Sequence, residues 1–392
     1  MRTFGTQATG IRTPIIYEGD NLPEIVVDSI LRYSADTGVK ILDSDIIGVT
    51  EAVVARAQGN YATVPQIAAD VKNKFPSGAV GVVFPIMSRN RFSVLLKGIA
   101  AAAEKLYIQF SYPSDEVGNR IVSTEQIYEA GVNPYCDVFD EDGFRAKFSQ
   151  IKHEFTGIDY LELYREMGKN AEIILANDPA EILKHTKNVI AADIHTREQT
   201  KRRLLAQGAE KVLCLDEILS ESVDGSGYNE RYGLLGSNKA GEDRVKLFPR
   251  ACDQFVSDTQ RLIFEKTGAA VEVLVYGDGA FKDPVGKIWE LADPVVSPAF
   301  TDGLIGLPNE IKLKYIADRE LADIRGDEAR KAMVERIRGK ARNLMGKDET
   351  EGTTPRRLID LTGSLCDLVS GSGDKGTPVV LIKGYFDNYA NE

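Results

Sequence analysis

The sequence has few cysteines and histidines, and their spacing excludes several kinds of site. Its four cysteines occur without any CxxC pair, and its three histidines stand at unrelated positions. Zinc knuckles, multi-histidine metal centres and disulfide frameworks all need closer groupings, so none of these is expected. A divalent cation would therefore be held mainly by carboxylates.

Long apolar runs are also missing. The most apolar stretch, Ser93 to Ala103, is short and contains Lys97, and the first residues have no apolar core of the kind found in signal peptides. We therefore expect a cytoplasmic protein with no membrane partner.

Positive charge is in deficit, with 48 Lys and Arg against 59 Asp and Glu and a net charge of −11. No overall basic field would draw the chain to nucleic acid, so a nucleic-acid partner is not expected. A polyanionic small molecule would need a local basic pocket. The 392 residues, of which 43% are hydrophobic, suffice for two or three packed domains.

Apolar runs of strand length alternate with stretches of helical periodicity over most of the chain. The clearest alternation lies between residues 171 and 219, where three strands and two helices follow one another. Such a βαβαβ order predicts a small doubly wound parallel layer. The expected fold class is therefore α+β, with mixed sheets and helices and this inserted parallel α/β layer.

Two loops concentrate chemistry. The loop from Gly236 to Lys246 combines glycines, three cations and two carboxylates, a mixture that suits phosphate and a hard metal ion. The second loop, from Tyr276 to Pro284, places Asp278 between two glycines at the end of an apolar strand. Each loop has a structural alternative: a solvated turn for the first and a tight turn for the second.

Polar residues also follow one strand of the expected parallel layer and one strand that precedes this layer in the sequence. Asp193-Ile194-His195-Thr196 ends a strand where open α/β sheets bind ligands, although Asp193 or Thr196 could simply cap the next helix. Arg89 and Arg91 follow another strand and could bind an anionic acceptor, or pair with Asp115 or Glu116 on the surface. No GxGxxG or Walker A motif occurs, so a dinucleotide site or P-loop is not supported.

The order of several motifs resembles that of coenzyme F420:L-glutamate ligases, of which this chain looks like a divergent, longer member. The motifs are Gly10-Ile11-Arg12-Thr13-Pro14, Gly19-Asp20-Asn21-Leu22, the strand–helix unit Asp45 to Gly59, Ala240-Gly241-Glu242-Asp243, Leu247-Phe248-Pro249 and the strand ending in Asp278. The resemblance implies a homodimeric enzyme that uses GTP, or ATP, with Mg²⁺ or Mn²⁺. Such an enzyme joins L-glutamate through its amine to a carboxylate acceptor.

Two other functions stay open. One is the same ligation on a folate-type acceptor. The other is a non-catalytic nucleotide- or metabolite-binding homologue, because several polar groups of the family pattern are replaced here, as in Asp278-Gly279 where the family has Asp-Thr.

The resemblance divides the chain into four segments. Residues 1–150 would be the N-terminal α/β part of the ligase-like core, 151–228 the inserted βαβαβ layer, 229–310 the metal and nucleotide loops, and 311–392 a charged helix with a C-terminal strand. The glycine-rich stretch 223–228, at the end of the inserted layer, is expected to be a linker.

The resemblance and the local charges together assign candidate roles. The metal ligands are Asp243 and Asp278, by resemblance. The other candidates are Glu242 and Lys282 for catalysis, Ile11, Arg12, Thr13, Thr50, Arg56, Asn238, Lys239 and Lys246 for the nucleotide, and Arg89, Arg91, His195 and Arg197 for the acceptor.

Overall fold

The computed structural model describes residues 3–76, 78–89, 92–148, 151–153, 156–169, 171–277, 280–282, 289–291, 297–350, 357–370 and 374–391, with the backbone alone for 280–282 and 289–291. The strands are β1 (Gln7–Ile11), β2 (Ile46–Thr50), β3 (Tyr61–Thr63), β4 (Ala79–Val83), β5 (Lys105–Phe110), β6 (Phe139–Asp140), β7 (Glu172–Leu175), β8 (Asn188–Ala191), β9 (Lys211–Cys214), β10 (Asn238–Lys239), β11 (Arg244–Lys246), β12 (Glu272–Tyr276), β13 (Ala280–Lys282), β14 (Trp289–Leu291), β15 (Ala299–Phe300) and β16 (Val379–Lys383).

The α-helices are α1 (Leu22–Thr37), α2 (Glu51–Ala57), α3 (Val64–Lys74), α4 (Phe92–Ala102), α5 (Thr124–Glu129), α6 (Glu141–Lys147), α7 (Tyr160–Met167), α8 (Arg197–Ala206), α9 (Cys252–Thr267), α10 (Leu313–Arg319), α11 (Gly326–Arg338) and α12 (Leu358–Ser370). Short 3-10 helices occupy Pro179–Lys184, Leu215–Glu217, Asp302–Leu304 and Asp348–Thr350. In the described part of the chain, no helix combines the length and the apolar composition that crossing a bilayer requires.

These elements form two compact units. The first contains Met1–Val54, Ala251–Ala280 and Leu291–Glu392, and the second contains Ala55–Arg250 and Phe281–Glu290.

The first unit is built on a five-stranded mixed sheet in the order β1-β16-β2-β12-β15. Its central strands are apolar on both faces, as a sheet covered by helices requires, and β2 runs parallel to β12. Helix α12 packs on this sheet, and Gly48 in β2 makes room for Cys366, because a Cβ at that position would overlap the cysteine sulfur. The two ends of the chain thus meet in one sheet, where β1 pairs with β16.

The second unit is built on a six-stranded sheet in the order β6-β7-β5-β4-β8-β9, parallel except for β6. The chain adds β5 and β7 on one side of β4 and then returns to the other side for β8 and β9. This reversal makes the boundary between β4 and β8 the topological switch point of a doubly wound sheet, where such folds bind ligands. The α+β class with a doubly wound parallel layer is therefore confirmed.

The parallel sheet is larger than the predicted layer. Strands β7, β8 and β9 were expected to form a layer of their own, but β5 and β4 lie between β7 and β8. Sequence periodicity identified each of these strands without giving their pairing partners.

The expected linker at 223–228 is part of the packed structure, which corrects that expectation. The Gly227 N–H donates to the Tyr61 carbonyl at 2.7 Å, and Ser226 is buried. A side chain at position 227 would collide with the Asn60 backbone and side chain. Glycine is therefore needed here because it lets this segment pack closely against Asn60.

Candidate active site

The loop from Gly236 to Lys246 is a β-hairpin in the second unit. Strand β10 pairs with β11, which in turn pairs with β3, and the Ala240 N–H donates to the Arg244 carbonyl across the turn at 2.9 Å. Arg244, one of the three cations of this loop, lies over the Tyr61 ring at 3.8 Å from its centroid. Glu242 and Asp243 stand at the exposed tip of the hairpin.

Asn60 anchors the base of this hairpin. Its side chain is fully buried, donates to the carbonyls of Phe248 at 2.6 Å and Tyr228 at 3.0 Å, and accepts from the Tyr228 N–H at 3.0 Å. The main-chain carbonyl of Asn60 also accepts from the Leu247 N–H at 2.9 Å. One buried amide side chain therefore joins β3, the 223–229 segment and the chain that leaves β11.

Two lysines neutralise the hairpin tip. Lys97, on α4, donates to the Asp243 carboxylate at 3.1 Å and to the Glu242 carbonyl at 2.9 Å. Lys239 pairs with the Glu242 carboxylate at 2.9 Å, and this hydrogen bond lowers the pKa of Glu242 below its ordinary value. A carboxylate held in this way is a weak base, so Glu242 could accept a proton efficiently only after Lys239 moves away.

Asp243 offers a hard oxygen donor to a metal ion but does not form a complete site with its described neighbours. Within the ranges that the structure describes, no group of three or more His, Cys, Asp and Glu side chains could hold a metal. Asp278, the other predicted ligand, lies outside the described residues. A cation at this tip would take Asp243 from Lys97 and would need further oxygen ligands, for which Asp278 remains the prediction.

A cleft of about 860 Å³ opens in the first unit beside the end of β1. Ile11, Arg12 and Thr13, all predicted to bind nucleotide, line it. The other polar and charged residues lining the cleft include Ser29, Arg32, Asp36, Lys375 and Thr377. Three cations therefore face one carboxylate, so the cleft favours an anionic ligand.

The cleft is held by contacts between the two ends of the chain. The Arg12 Nε donates to the Lys375 carbonyl at 3.3 Å. A Cβ at Gly10 would lie 2.9 Å from the Thr377 Cβ, so only glycine allows β1 to approach the loop before β16 this closely. The Thr377 hydroxyl donates to the Ser370 carbonyl at 3.0 Å and fixes that loop against the end of α12.

The turn after β8 lies at the switch point of the second unit. Asp193 is buried, and its Oδ2 accepts from the hydroxyls of Thr196 at 2.6 Å and Thr200 at 2.8 Å. Thr196 is the N-cap residue of α8, but its side chain makes no capping hydrogen bond. The Asp193 carboxylate accepts from threonine hydroxyls, and the Thr196 side chain accepts no backbone N–H, so the alternative of a simple helix cap is wrong.

Two further groups meet at this turn. The Glu116 carboxylate, from the loop after β5, accepts from the backbone N–H groups of Ile194 and His195. Arg197 binds Asp216 at 3.2 Å and also donates to the Ile194 carbonyl.

A family model described as F420-0:gamma-glutamyl ligase matches residues 10–384. The chain belongs to this family. It is therefore an enzyme of the ligase class, and small-molecule substrates such as glutamate are those of its family. No curated protein matches the chain.

The predicted residues of this ligase fall into separate groups. Ile11, Arg12 and Thr13 line one cleft, whereas Asn238, Lys239, Lys246, Glu242 and Asp243 belong to the hairpin. Thr50 ends β2 in the first unit, and Arg56 lies on the exposed side of α2 in the second.

The remaining predicted residues of the ligase are only partly described. Lys282 lies in β13, of which only the backbone is described. Arg91 lies outside the described residues. Arg89 is exposed in the loop after β4, while His195 and Arg197 stand at the β8–α8 turn. Asp115 and Glu116, the proposed surface partners of the arginines, bind backbone N–H groups.

Sequence reasoning missed several residues that the fold of the ligase brings to these places. Lys97 entered the sequence analysis only as a charged residue in the most apolar stretch, and Lys375 was not among the predicted residues. Glu116 and Asp216 lie in sequence far from the strand end that they contact. The signal that could have drawn attention to Lys97 is its place as a lone cation in the apolar stretch Ser93 to Ala103.

Proposed function

We propose that this ligase couples hydrolysis of GTP, or of ATP, to amide formation between a carboxylate acceptor and L-glutamate. The observation that carries the proposal is the cationic cleft beside β1, together with the family to which the chain belongs. Arg12, Arg32 and Lys375 supply three positive charges that suit the phosphates of a nucleotide.

The chemistry follows from the difficulty of making an amide in water. An acceptor carboxylate oxygen attacks the terminal phosphorus, which forms an acyl phosphate and releases the nucleoside diphosphate. The glutamate nitrogen then attacks the acyl carbon, phosphate leaves with the C–O bond electrons, and the amine loses a proton. We assign this proton to Glu242, with Lys282 as a second catalytic residue that stabilises negative charge on the transferring phosphate.

Divalent metal belongs to the same proposal. Asp243 and Asp278 would hold Mg²⁺ or Mn²⁺, which when bound would neutralise charge on the phosphates. Thr50, Arg56, Asn238, Lys239 and Lys246 complete the proposed nucleotide contacts. Homodimerisation, which the resemblance implies, and a cytoplasmic location, which is expected from the composition, are further parts of the proposal.

The acceptor is proposed to be F420-0, as in the name of the family, with a folate-type carboxylate as the competing candidate. Arg89 and Arg91 are the proposed cations for its anionic groups. Mass spectrometry after incubation with L-glutamate, Mn²⁺ and either GTP or ATP tests this choice. We expect F420-0, and not a folate, to gain one glutamyl group, and Lys375→Ala to reduce its formation. Absence of any glutamylated product with both acceptors and both nucleotides would contradict the proposal.

A further inference from the structure

The turn between β8 and α8 carries recognition groups for which the proposed nucleotide and metal sites have no use. It lies at the carboxyl end of β8, on the switch-point side of the doubly wound sheet. Helix α8 is ten residues long, and the partial positive charge of its first turn favours an anion there. Two backbone N–H groups of the turn, from Ile194 and His195, already bind a carboxylate.

That carboxylate belongs to the protein itself. Glu116 reaches the turn from the loop after β5, with 3.1 Å between the His195 nitrogen and its Oε2. Its neighbour Asp115 holds the same loop to the Met87 N–H at 2.8 Å, so the loop bridges the strand ends on either side of the switch point. The turn is therefore a carboxylate-binding site with an internal occupant.

The second group at the turn is the buried Asp193 carboxylate, of which one oxygen is hydrogen-bonded and the other is not. Asp193 is 1% exposed, and its Oδ2 takes both hydroxyl hydrogen bonds, from Thr196 and Thr200. Its Oδ1 is buried and has no hydrogen-bond partner among the residues that the structure describes. The Asp193 charge lies near enough to Glu116 to raise the pKa of that carboxyl, after the larger effect of desolvation. A buried acceptor without a donor is costly, so a donor that arrives with a ligand would stabilise it.

The charges around the turn favour a cationic group in that ligand. Glu116, Asp193 and Asp216 place three carboxylates around the turn, where Arg197 pairs with Asp216. Asp216 also has a buried Oδ1 without a partner in the described structure. When Glu116 leaves, a ligand carboxylate can replace it on the two N–H groups. The remaining excess of negative charge is then balanced by an ammonium group.

We propose that this turn binds an α-amino acid, whose carboxylate takes the place of Glu116 on the Ile194 and His195 N–H groups and whose ammonium donates to Asp193 Oδ1. Glu116 acts as an internal competitor that occupies the turn when the amino acid is absent. That the amino acid is L-glutamate rests on the proposed function. It would bind either as the co-substrate or as an effector, and His195 and Arg197 then serve the amino acid and not the acceptor.

Calorimetric titration without nucleotide or acceptor tests the site independently of turnover. The probes are L-glutamate and glutarate, which has the same two carboxylates but no ammonium. We expect L-glutamate to bind more tightly than glutarate. Asp193→Asn should weaken L-glutamate binding by about 10- to 150-fold, the loss of one charge-assisted hydrogen bond, and abolish the preference. Glu116→Ala should strengthen binding of both probes, whereas the exposed control Glu125→Ala should change neither.

Three results would overturn the site: equal affinity for the two probes, unchanged affinity in both variants, or no binding to either the wild type or Glu116→Ala. Thermal unfolding checks that Asp193→Asn folds. If it does not, the wild type's preference for L-glutamate over glutarate and the affinities of Glu116→Ala test the site. A KM for L-glutamate that follows the binding changes identifies the co-substrate, and an unchanged KM identifies an effector. Glutamate binding without any ligase activity would refute the proposed function and leave the site intact.

Discussion

Arg12 donates a hydrogen bond from its Nε to the carbonyl of Lys375 at 3.3 Å, although 363 positions separate them in the sequence. This contact joins the end of the first strand to the loop before the last one, and both residues line the cationic cleft. The cleft is consequently assembled by the pairing of β1 with β16 before any ligand arrives. Preorganised cations of this kind bind phosphates without a large ordering cost.

Removing one cation from the cleft should weaken nucleotide binding. For Arg12→Ala and for Lys375→Ala, we expect triphosphate affinity to fall by about 10- to 150-fold, since one charge-assisted contact contributes about 1.5 to 3 kcal/mol. The exposed Lys331→Ala is the matched control and should leave affinity unchanged. Fluorescence titration with a labelled nucleotide measures all three. Wild-type affinity in both cleft variants would place the nucleotide elsewhere.

Asp243→Asn and Lys97→Ala should act on metal binding in opposite directions. Asp243→Asn removes the proposed ligand and should weaken Mn²⁺ binding by at least about tenfold, the effect of losing one charged contact. Lys97→Ala removes the competing cation and should strengthen it roughly two- to fivefold, as expected for an exposed ion pair. Because the Asp243 side chain is 72% exposed, Asp243→Asn should not change thermal unfolding.

The matched control for these variants is Asp142→Asn, an exposed carboxylate on α6. Calorimetric titration with Mn²⁺ compares the four proteins. Equal Mn²⁺ affinity in wild type and Asp243→Asn would remove Asp243 from the metal site.

Asn60→Ala should destabilise the second unit. Its fully buried side chain satisfies three backbone groups of Tyr228 and Phe248. The substitution removes this partner from both Tyr228 groups and leaves the Phe248 carbonyl with only the longer hydrogen bond from Asn229, at 3.3 Å. We expect the free energy of unfolding to fall by roughly 2 to 4 kcal/mol, against less than about 0.5 kcal/mol for the exposed Asn343→Ala. Urea denaturation measures the difference. Similar midpoints for the two variants would show that the hairpin base does not depend on Asn60.

Stability should depend on pH through Asp115. Burial raises the pKa of this carboxyl to about 6 from an ordinary 3.8, although the N–H groups of Met87, Val117 and Asn119 act in the opposite direction. Because the folded-state pKa is the higher one, the protonated form favours folding. The contribution is complete below the unfolded-state pKa and is lost as pH rises through the folded-state value, by about 3 kcal/mol in total.

Denaturation at intervals between pH 4 and pH 7 compares wild type with Asp115→Asn, which does not titrate. We expect the wild type to lose more stability over this interval than the variant, whatever the offset between them at pH 4. Parallel pH profiles would mean that Asp115 titrates near its ordinary value in the folded protein.

Much of the fold could be predicted from local sequence because its strands are short apolar runs between polar turns. Strands β2, β4, β7 and β12 all occur where such runs indicated them. The pairing of β4 with β8 could not be predicted, because it depends on which strand the chain returns to and not on the composition of either. The hairpin of β10 and β11 was also missed, since strands of two and three residues give no alternation to detect.

The candidate site was predictable only as a set of residue types. Sequence indicated that Asp243 stands in a charged loop and that Asp193 follows a strand. It did not indicate that Lys97 pairs with Asp243 or that Glu116 reaches the turn that follows Asp193. Both contacts join elements that are distant in sequence. Burial decides the chemistry of such carboxylates, and a partner's position cannot be derived from spacing alone.

The central claim, that the acceptor carboxylate is activated by phosphoryl transfer, is tested most directly with an oxygen label. F420-0 labelled with ¹⁸O in its reacting carboxylate is incubated with the protein, L-glutamate, Mn²⁺ and GTP or ATP, and the released phosphate is analysed by mass spectrometry. We predict one labelled oxygen in the phosphate for each amide formed, because the bridging oxygen of the acyl phosphate comes from the acceptor. Unlabelled phosphate, formed together with the amide product, would contradict the account.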